Sequence, residues 1–396
     1  MERRGAPNFN KFFLLGMQPP YMAAKVVVYG FSTEGYLLAR QMSIKGASVS
    51  LIDEMSLSAI SLTPEIAKKY ASVSSLKEDE PILPLEPIDV AISRAQYLFF
   101  APRIRKIGQD TKTEICSKFK TATSPLKKNS SVIYCVPTGF EGNHENISFL
   151  EHVTGFEAGR TVSYYYYPLG GENPELIGSF SGSDEVLAEL LSPGKKQREF
   201  VPMSSAEHFY AVDLLTRFST LFSSLEVCKF AQDEQTKADL SSRRFKDVFL
   251  DDMVAGMYDL QSLHSSFDAP NTITYIINGS LRGIENYIKR LIDETRSLLK
   301  QNHLKASRTT IAVSWTMDKY EMRGDKVDML RDLTSRLRDS IGDVAAYSEP
   351  DSDLFHNERI MVVLVCTQAD FERIAENRKE KNLILIKANP LCEVVQ

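Results

Sequence analysis

Residues 25–53 constrain the fold of this chain more than any other segment. A short β-branched run, Lys25–Tyr29, ends in the glycine turn Gly30-Phe-Ser-Thr-Glu-Gly35, and apolar residues then follow at helical spacing as far as Gly46. A second apolar run, Val49–Asp53, ends in an acidic residue. Strand, glycine turn, helix and strand in this order form a βαβ unit with two parallel strands. The segment therefore predicts a Rossmann-like α/β domain.

The glycine turn also predicts a nucleotide site in this domain. In dinucleotide-binding folds the first glycine makes the tight turn, the second lets the pyrophosphate approach the backbone, and the third lets the helix pack on the strand. Gly30 and Gly35 stand at the first and third places. Ser32 stands at the second, where its Cβ crowds the pyrophosphate while its hydroxyl can donate to a phosphate oxygen. The alternative is a Rossmann-type fold that binds nothing, in which both glycines serve only the turn.

The end of the second strand favours NAD as the ligand. Asp53 stands where a carboxylate accepts hydrogen bonds from ribose hydroxyls. Glu54 follows it, and two neighbouring acidic side chains repel the 2′-phosphate of NADP. A basic run, Arg103-Ile-Arg105-Lys106, follows a strand end on the same side, and it either holds a phosphate or forms a solvated loop.

The remaining sequence predicts a helical middle region and a second α/β domain. Further strands are expected at Tyr97–Phe100, Ser131–Val136, Thr161–Tyr167, Thr309–Trp315, Ile360–Val365 and Leu383–Lys387. In the run Tyr164–Tyr167, alternation along a strand sends two of the four rings into the core. Ser204-Ser-Ala-Glu207 fits a capping box at the start of a long helix, and two more helices are expected near residues 245–263 and 281–299.

The predicted fold is α/β, with two Rossmann-like domains joined by a helical middle region. We expect a loosely ordered N-terminal extension at residues 1–24 and the first Rossmann-like domain at 25–200. The helical region follows at 201–304, and the C-terminal Rossmann-like domain occupies 305–396.

Composition argues against several functional classes. The chain has 47 basic and 52 acidic side chains and a net charge of −5, which gives no global electrostatic attraction to nucleic acid or to a membrane surface. No apolar run approaches the roughly 20 residues that a membrane-spanning helix needs. The five cysteines are odd in number and far apart, which favours a reducing, cytoplasmic location. The six histidines show no ligand spacing, so no metal site is predicted.

Several short motifs, in the same order along the chain, resemble those of the UDP-glucose/GDP-mannose (nucleotide-sugar) 6-dehydrogenase family. Besides the βαβ unit they are Glu86-Pro87, Val136-Pro-Thr-Gly139, Ser205-Ala-Glu207, Glu321-Met-Arg323 and Ala346-Tyr-Ser-Glu-Pro350. The resemblance implies that residues 25–200 bind NAD, that residues 305–396 bind a nucleotide sugar, and that the long helix at 204–232 forms a homodimer.

Arg323 has the strongest claim to a substrate role in the C-terminal domain. It matches the arginine of the family's Asp-x-Arg motif, and a guanidinium suits bidentate binding of a phosphate. The alternative is a surface salt bridge of Arg323 with Glu321 or Asp325.

The chain departs from the family at the positions that carry its chemistry. The family oxidises an alcohol through an aldehyde to a carboxylate, and a cysteine nucleophile after the central helices holds the aldehyde. This sequence has no cysteine between Cys228 and Cys366. The lysine and asparagine that stabilise the oxyanion fall on Tyr210 and Leu214, and the water-activating glutamate falls on Leu169. We therefore assign no catalytic residue.

Two classes of function remain open from the sequence. The first is a pseudoenzyme that binds NAD or a nucleotide sugar, or that serves as a regulatory or assembly partner. The second is an active NAD-dependent oxidoreductase with altered chemistry, since a two-electron alcohol oxidation needs a base but no cysteine. Cys135, with His144 or His152 as its base, is an alternative nucleophile, although an inert buried cysteine is the simpler interpretation. The missing catalytic residues favour the first class.

Overall fold

The computed structural model describes residues 24–79, 81–105, 109–170, 176–192, 198–231, 233–267, 269–304, 309–342, 344–347, 360–376 and 383–395. These residues pack as two compact units. Unit 1 contains the described residues up to Tyr210 together with Tyr320–Met322, and unit 2 contains Ala211–Lys319 and the residues from Arg323 onward. The predicted extension, except Ala24, lies outside the described residues, as do Lys106 and residues 348–350. The predicted domain boundaries stay predictions.

Unit 1 is built on one mixed sheet with nine described strands. They are β1 (Lys25–Tyr29), β2 (Ser48–Asp53), β3 (Ser58–Leu62), β4 (Leu85–Pro87), β5 (Tyr97–Phe100), β6 (Ser131–Tyr134), β7 (Ser163–Tyr166), β8 (Leu176–Ser179) and β9 (Glu199–Pro202). Their order in the sheet is β4-β3-β2-β1-β5-β6-β7-β8-β9. The five central strands, β2 to β7 in that order, are parallel, whereas β3, β4 and β8 pair antiparallel with a neighbour.

The predicted βαβ unit is confirmed, and it marks where the sheet changes direction. β1 pairs in parallel with β2 on one side and with β5 on the other. The strands that follow β1 directly therefore lie on one side of it, and the strands from β5 onward lie on the other side. A crevice opens at the carboxyl ends of the strands at such a switch point, and open α/β sheets bind ligands there. The glycine turn follows β1 directly and therefore lies at this switch point.

Among the described residues, eight helices begin in unit 1. They are α1 (Thr33–Ile44), α2 (Pro64–Lys69), α3 (Val73–Asp79), α4 (Ile88–Ser93), α5 (Gln109–Thr123), α6 (Gly142–Thr154), α7 (Glu185–Leu191) and the long helix α8 (Met203–Cys228), which continues into unit 2. The expectation that two of the four rings of Tyr164–Tyr167 enter the core is wrong, because all four rings are buried. A parallel strand inside such a sheet is covered on both faces, so alternation does not expose either set of side chains.

Unit 2 contains a smaller, mainly parallel sheet. Its described strands are β10 (Thr309–Ser314), β11 (Val344–Tyr347), β12 (Ile360–Val365), β13 (Leu383–Lys387) and β14 (Val394–Val395). They lie in the order β11-β10-β12-β13-β14, and only the last pair among them is antiparallel. Together with unit 1 they give the predicted fold class, two Rossmann-like domains with helices between them in the sequence.

The helices of unit 2 differ in detail from the sequence expectation. They are α9 (Glu234–Leu240), a π-helical turn at Ser241–Phe245, α10 (Leu250–Val254), α11 (Met257–His264), α12 (Thr272–Gln301), α13 (Asp325–Ser340) and α14 (Gln368–Glu376). The single helix expected at residues 245–263 is wrong. Gly256 has a φ of 85°, a left-handed conformation that interrupts the helix and separates α10 from α11.

Helix α12 packs closely on α8 at a glycine of its own. A Cβ at Gly283 would lie 2.4 Å from Cδ2 of Phe222, so glycine is what lets this ring lie against the helix.

No described helix is long and apolar enough to cross a membrane. In the part of the chain that the structure describes, no group of three or more His, Cys, Asp or Glu side chains is placed to hold a metal ion.

Candidate functional site

Both glycines of the turn after β1 are required by the backbone itself. Gly30 has a φ of 127°, and a Cβ on it would lie 2.0 Å from the carbonyl oxygen of Ala101. A Cβ on Gly35 would lie 2.5 Å from the carbonyl oxygen of Gly30. The close packing of turn, strand and helix therefore accounts for these two residues whether or not a ligand binds.

Ser32 caps the helix that follows the turn. Its fully buried hydroxyl oxygen accepts a hydrogen bond from the backbone N–H of Gly35 at 3.0 Å. This is an ordinary N-cap contact, which satisfies one of the N–H groups left open at the start of a helix. The Ser32 hydroxyl oxygen thus accepts a hydrogen bond from α1. Its predicted hydrogen bond to a phosphate stays a prediction.

Residues Tyr320–Met322, which belong to unit 1, contact the N-terminus of α1. The N–H of Thr33 donates to the carbonyl oxygen of Tyr320 at 2.8 Å, and the N–H of Met322 donates to the Glu34 carboxylate at 2.7 Å. The side chain of Met322 is 1% exposed and belongs to the hydrophobic core of unit 1. The motif Glu321-Met-Arg323 predicted a role for Arg323, whereas the contacts of Tyr320–Met322 with α1 were not predicted.

A group of aromatic and charged side chains surrounds the same turn. The ring of Phe31 is buried and meets the ring of Tyr320 edge-on, with 6.4 Å between centroids. The Nζ of Lys77 lies 4.8 Å from the centroid of Phe31, and the guanidinium of Arg103 lies 5.6 Å from that of Tyr320. Of the predicted basic run, Arg103 therefore lies at the turn.

Asp53 ends β2 at this edge of the sheet, as predicted. Its side chain is almost fully buried, and one carboxylate oxygen accepts the N–H of Met55 at 2.9 Å. The other oxygen lies 3.6 Å from the Nζ of Lys77. The carboxylate is thus fixed in place, with lone pairs left over for a hydroxyl donor.

Glu207 is a buried acid that the sequence analysis placed wrongly. The predicted capping box does not form, because α8 begins at Met203 and the Glu207 carboxylate contacts another helix. It accepts the backbone N–H groups of Glu141 and Asn143 at 3.1 Å each and the side-chain amide of Asn143 at 2.8 Å. A carboxylate at the N-terminus of α6 is stabilised by these donors and by the helix dipole.

Cys135 does not have the surroundings of a nucleophile. It is fully buried, and burial raises its pKa well above that of a free thiol, so the thiolate is strongly disfavoured. The two candidate bases, His144 and His152, lie exposed on α6. The structure therefore supports the interpretation of Cys135 as an inert core residue.

Arg323 is held in a buried ion pair in unit 2. Its guanidinium donates to the carboxylate of Asp259, and the two side chains are 11% and 3% exposed. The sequence did not predict Asp259 as the partner of Arg323, and the pair is buried rather than at the surface. Its part in substrate binding stays a prediction.

Asp325 lies beside this pair. Its two carboxylate oxygens accept the N–H groups of Gly256 and Tyr258 at 3.1 and 3.0 Å, so it caps the start of α11. Burial, with a smaller contribution from the Asp259 charge, raises the pKa of Asp325 to about 7.

Comparison with known proteins finds similarity in structure alone. No protein-family profile matches the sequence, and no curated protein matches it. Among solved structures, the chain is similar to a UDP-D-ManNAc dehydrogenase from Pyrococcus horikoshii, with 15% identity over 91% of this chain and 95% of that one, and a TM-score of 0.63. A UDP-glucose dehydrogenase from Pyrobaculum islandicum matches with 12% identity over 94% and 96% of the two chains and a TM-score of 0.61.

A third solved structure extends the same pattern. The UDP-N-acetyl-mannosamine dehydrogenase from S. aureus matches with 11% identity over 93% of this chain and 96% of that chain, at a TM-score of 0.59. At identities this low, the three likenesses establish a shared dehydrogenase-like fold over nearly the whole of each chain, and no more than that.

Proposed function

We propose that this chain is a nucleotide-sugar dehydrogenase-like protein that is catalytically degenerate and binds NAD or a nucleotide sugar. One observation carries the proposal: a fold like that of nucleotide-sugar dehydrogenases comes with no cysteine in residues 229–365. Oxidation through an aldehyde to a uronate needs a thiolate that retains the aldehyde between two hydride transfers. Without it the second oxidation has no covalent intermediate.

The residues at the other reacting positions support the same proposal. Leu214 is buried and has no hydrogen-bond donor, and Leu169 is buried and cannot activate water. Removal of one oxyanion donor alone typically slows a reaction by about 10²–10³. Losing a donor together with the nucleophile should therefore abolish uronate formation.

The proposed nucleotide site is the switch point of the sheet in unit 1. Gly30, Gly35 and Asp53 stand there in the arrangement of a dinucleotide fold, and Asp53 has lone pairs for a ribose hydroxyl. In unit 2, Arg323 is the candidate for the phosphate of a nucleotide sugar, since its guanidinium offers several donors. The free state of all five cysteines supports a reducing, cytoplasmic location.

The test follows NADH release with UDP-glucose, UDP-N-acetylmannosamine and GDP-mannose, and identifies the product by mass spectrometry. We expect no uronate from any of the three. Stoichiometric uronate with two NADH per sugar would contradict the proposal and favour the active oxidoreductase. A Cys135→Ser variant would then show whether Cys135 had become the nucleophile, because only that role makes the second oxidation depend on its thiol.

A homodimer through α8 is also part of the proposal. Val212 and Val227 on this helix are 59% and 61% exposed, and Phe230 just beyond it is 81% exposed. Val212 and Val227 lie on the exposed side of α8, whereas Leu214, Phe218 and Leu225 on the same helix are buried. Burial of exposed apolar surface is the main favourable term in association.

A further inference from the structure

We propose that Tyr320–Met322 is a built-in competitor for the phosphate-binding end of α1. In this state of the protein the tripeptide closes the site, and a nucleoside diphosphate binds there only when the tripeptide leaves. The inference rests on the proposed function for the position of the nucleotide site. It adds how access to that site is controlled.

The first support is the N–H group that the tripeptide occupies. A dinucleotide fold presents the first N–H groups of this helix to the pyrophosphate. Here the Thr33 N–H donates to the carbonyl oxygen of Tyr320 at 2.8 Å, and the Gly35 N–H donates to the Ser32 hydroxyl at 3.0 Å. A phosphate oxygen would need the volume that the Tyr320 carbonyl oxygen fills. The two therefore exclude each other.

The second support is the charge at the helix N-terminus. Glu34 lies in the first turn of α1, where an acidic side chain is stabilised by the helix dipole. Its carboxylate accepts the N–H of Met322 at 2.7 Å. A carboxylate in this place attracts a peptide N–H and repels a phosphate, so the charge of Glu34 favours the tripeptide over an anion, in opposition to the positive charges of Lys77 and Arg103 at the same turn.

The third support is the number of contacts that hold the tripeptide. The Ile104 N–H donates to the Met322 carbonyl oxygen at 2.8 Å, and the Arg105 guanidinium donates to the Glu321 carbonyl oxygen at 2.6 Å. With the contacts of Thr33 and Glu34, four hydrogen bonds hold the main chain of three residues. The buried Met322 side chain adds apolar contact.

These contacts set how strongly nucleotide binding is suppressed. The apparent dissociation constant equals the intrinsic one divided by the fraction of molecules with an open site. If about 1% of molecules are open, binding weakens about 100-fold. Any substitution that loosens the tripeptide should therefore tighten nucleotide binding, although it removes contacts from the protein.

The experiment measures ADP binding to the full chain by titration calorimetry. Met322→Ala removes the buried side chain, and Ile82→Ala removes an apolar side chain that is 100% exposed and serves as the control. We expect Met322→Ala to bind ADP at least about tenfold more tightly than the wild type, and Ile82→Ala to match the wild type. Equal affinities for all three proteins, or no ADP binding by Met322→Ala, would overturn the proposal.

A second variant and readout protect the test against misfolding of Met322→Ala. Glu34→Gln keeps an acceptor for the Met322 N–H but removes the charge, so we expect tighter ADP binding than in the exposed control Glu78→Gln. In the wild type, saturating ADP should speed amide hydrogen exchange at Tyr320–Met322. Unchanged exchange there under ADP saturation would refute displacement. Uronate production by the wild type would instead contradict the proposed function and leave these ADP results standing.

Discussion

Ionisation of Asp325 should make unit 2 less stable as the pH rises. This first residue of α13 is 6% exposed, caps α11 through two N–H groups and lies beside the Arg323–Asp259 ion pair. Its pKa is about 7 in the folded protein because of burial first and the Asp259 charge second, against 3.8 for an ordinary aspartate. The folded state therefore keeps a proton on Asp325 at pH values where the unfolded chain has lost it.

The sign and size follow from this difference in pKa. A carboxyl whose pKa is raised on folding contributes stability that is fully present below about pH 3.8, declines as the pH rises, and is gone above about pH 7. Each pKa unit is worth about 1.4 kcal/mol, so the raised pKa corresponds to about 4 kcal/mol over the whole range. Between pH 5 and pH 7 the expected loss is about 2–3 kcal/mol.

Trp315 provides the measurement, because it is the single tryptophan of the chain and is buried in unit 2. Urea unfolding followed by its fluorescence at pH 5 to 8 should compare the wild type with Asp325→Asn. The asparagine has one acceptor oxygen and does not ionise, so it costs about 1–3 kcal/mol at low pH, and its disadvantage should shrink or reverse towards pH 8. Asp332→Asn, half exposed on the same helix, is the control. A difference between wild type and Asp325→Asn that stays constant across this range would refute the reasoning.

Three further outcomes test unit 1 and the dimer. Gly30→Ala should destabilise unit 1 by about 3 kcal/mol or more, because the new Cβ collides with the backbone. The measurement is denaturant unfolding followed by circular dichroism. The control Gly182→Ala, at a φ of 94° with no atom within 4 Å of the new Cβ, should cost only about 1 kcal/mol. Glu207→Gln should cost about 2 kcal/mol or more in the same assay, since one oxygen cannot satisfy donors on both sides of the carboxylate, and an unchanged midpoint would contradict the assigned contacts. Val212→Asp should turn a dimer into a monomer in light scattering. Val327→Asp, at a 40% exposed position on α13, should not change the oligomeric state. A wild-type monomer at micromolar concentration would contradict the dimer.

The sequence was sufficient where the determining contacts are local. The β1-turn-α1-β2 segment follows from β-branched runs, two glycines and a terminal acid within thirty residues or so, and each of these acts on its neighbours. Gly30 and Gly35 could be identified because few other residues fit such a turn. The break at Gly256 was missed because apolar spacing continues across it and hides a change in backbone conformation.

The parts of the site that depend on distant segments could not be predicted. Glu207 was assigned to its own helix by local pattern, but its donors belong to a loop and helix start 64 to 66 residues earlier. The contact between Glu34 and Met322 spans 288 residues. Asp259 carried no motif, and its partnership with Arg323 arises from the packing of α11 beside the start of α13. Hydrophobic periodicity contains no information on such pairs.

The membership of Tyr320–Met322 in unit 1 has a consequence for how the protein is made. Translation is vectorial, and domains generally fold as units while the ribosome is still adding residues. All the strands that the structure describes in the first sheet have been synthesised by Pro202. The Met322 side chain that completes the core is added only after more than a hundred further residues. During that interval the nascent unit 1 lacks the Met322 side chain of its core, and the hydrogen bond from the Thr33 N–H to the Tyr320 carbonyl oxygen has not formed. A chaperone, or a nucleotide, therefore has its widest access to this end of α1 before the polypeptide is finished.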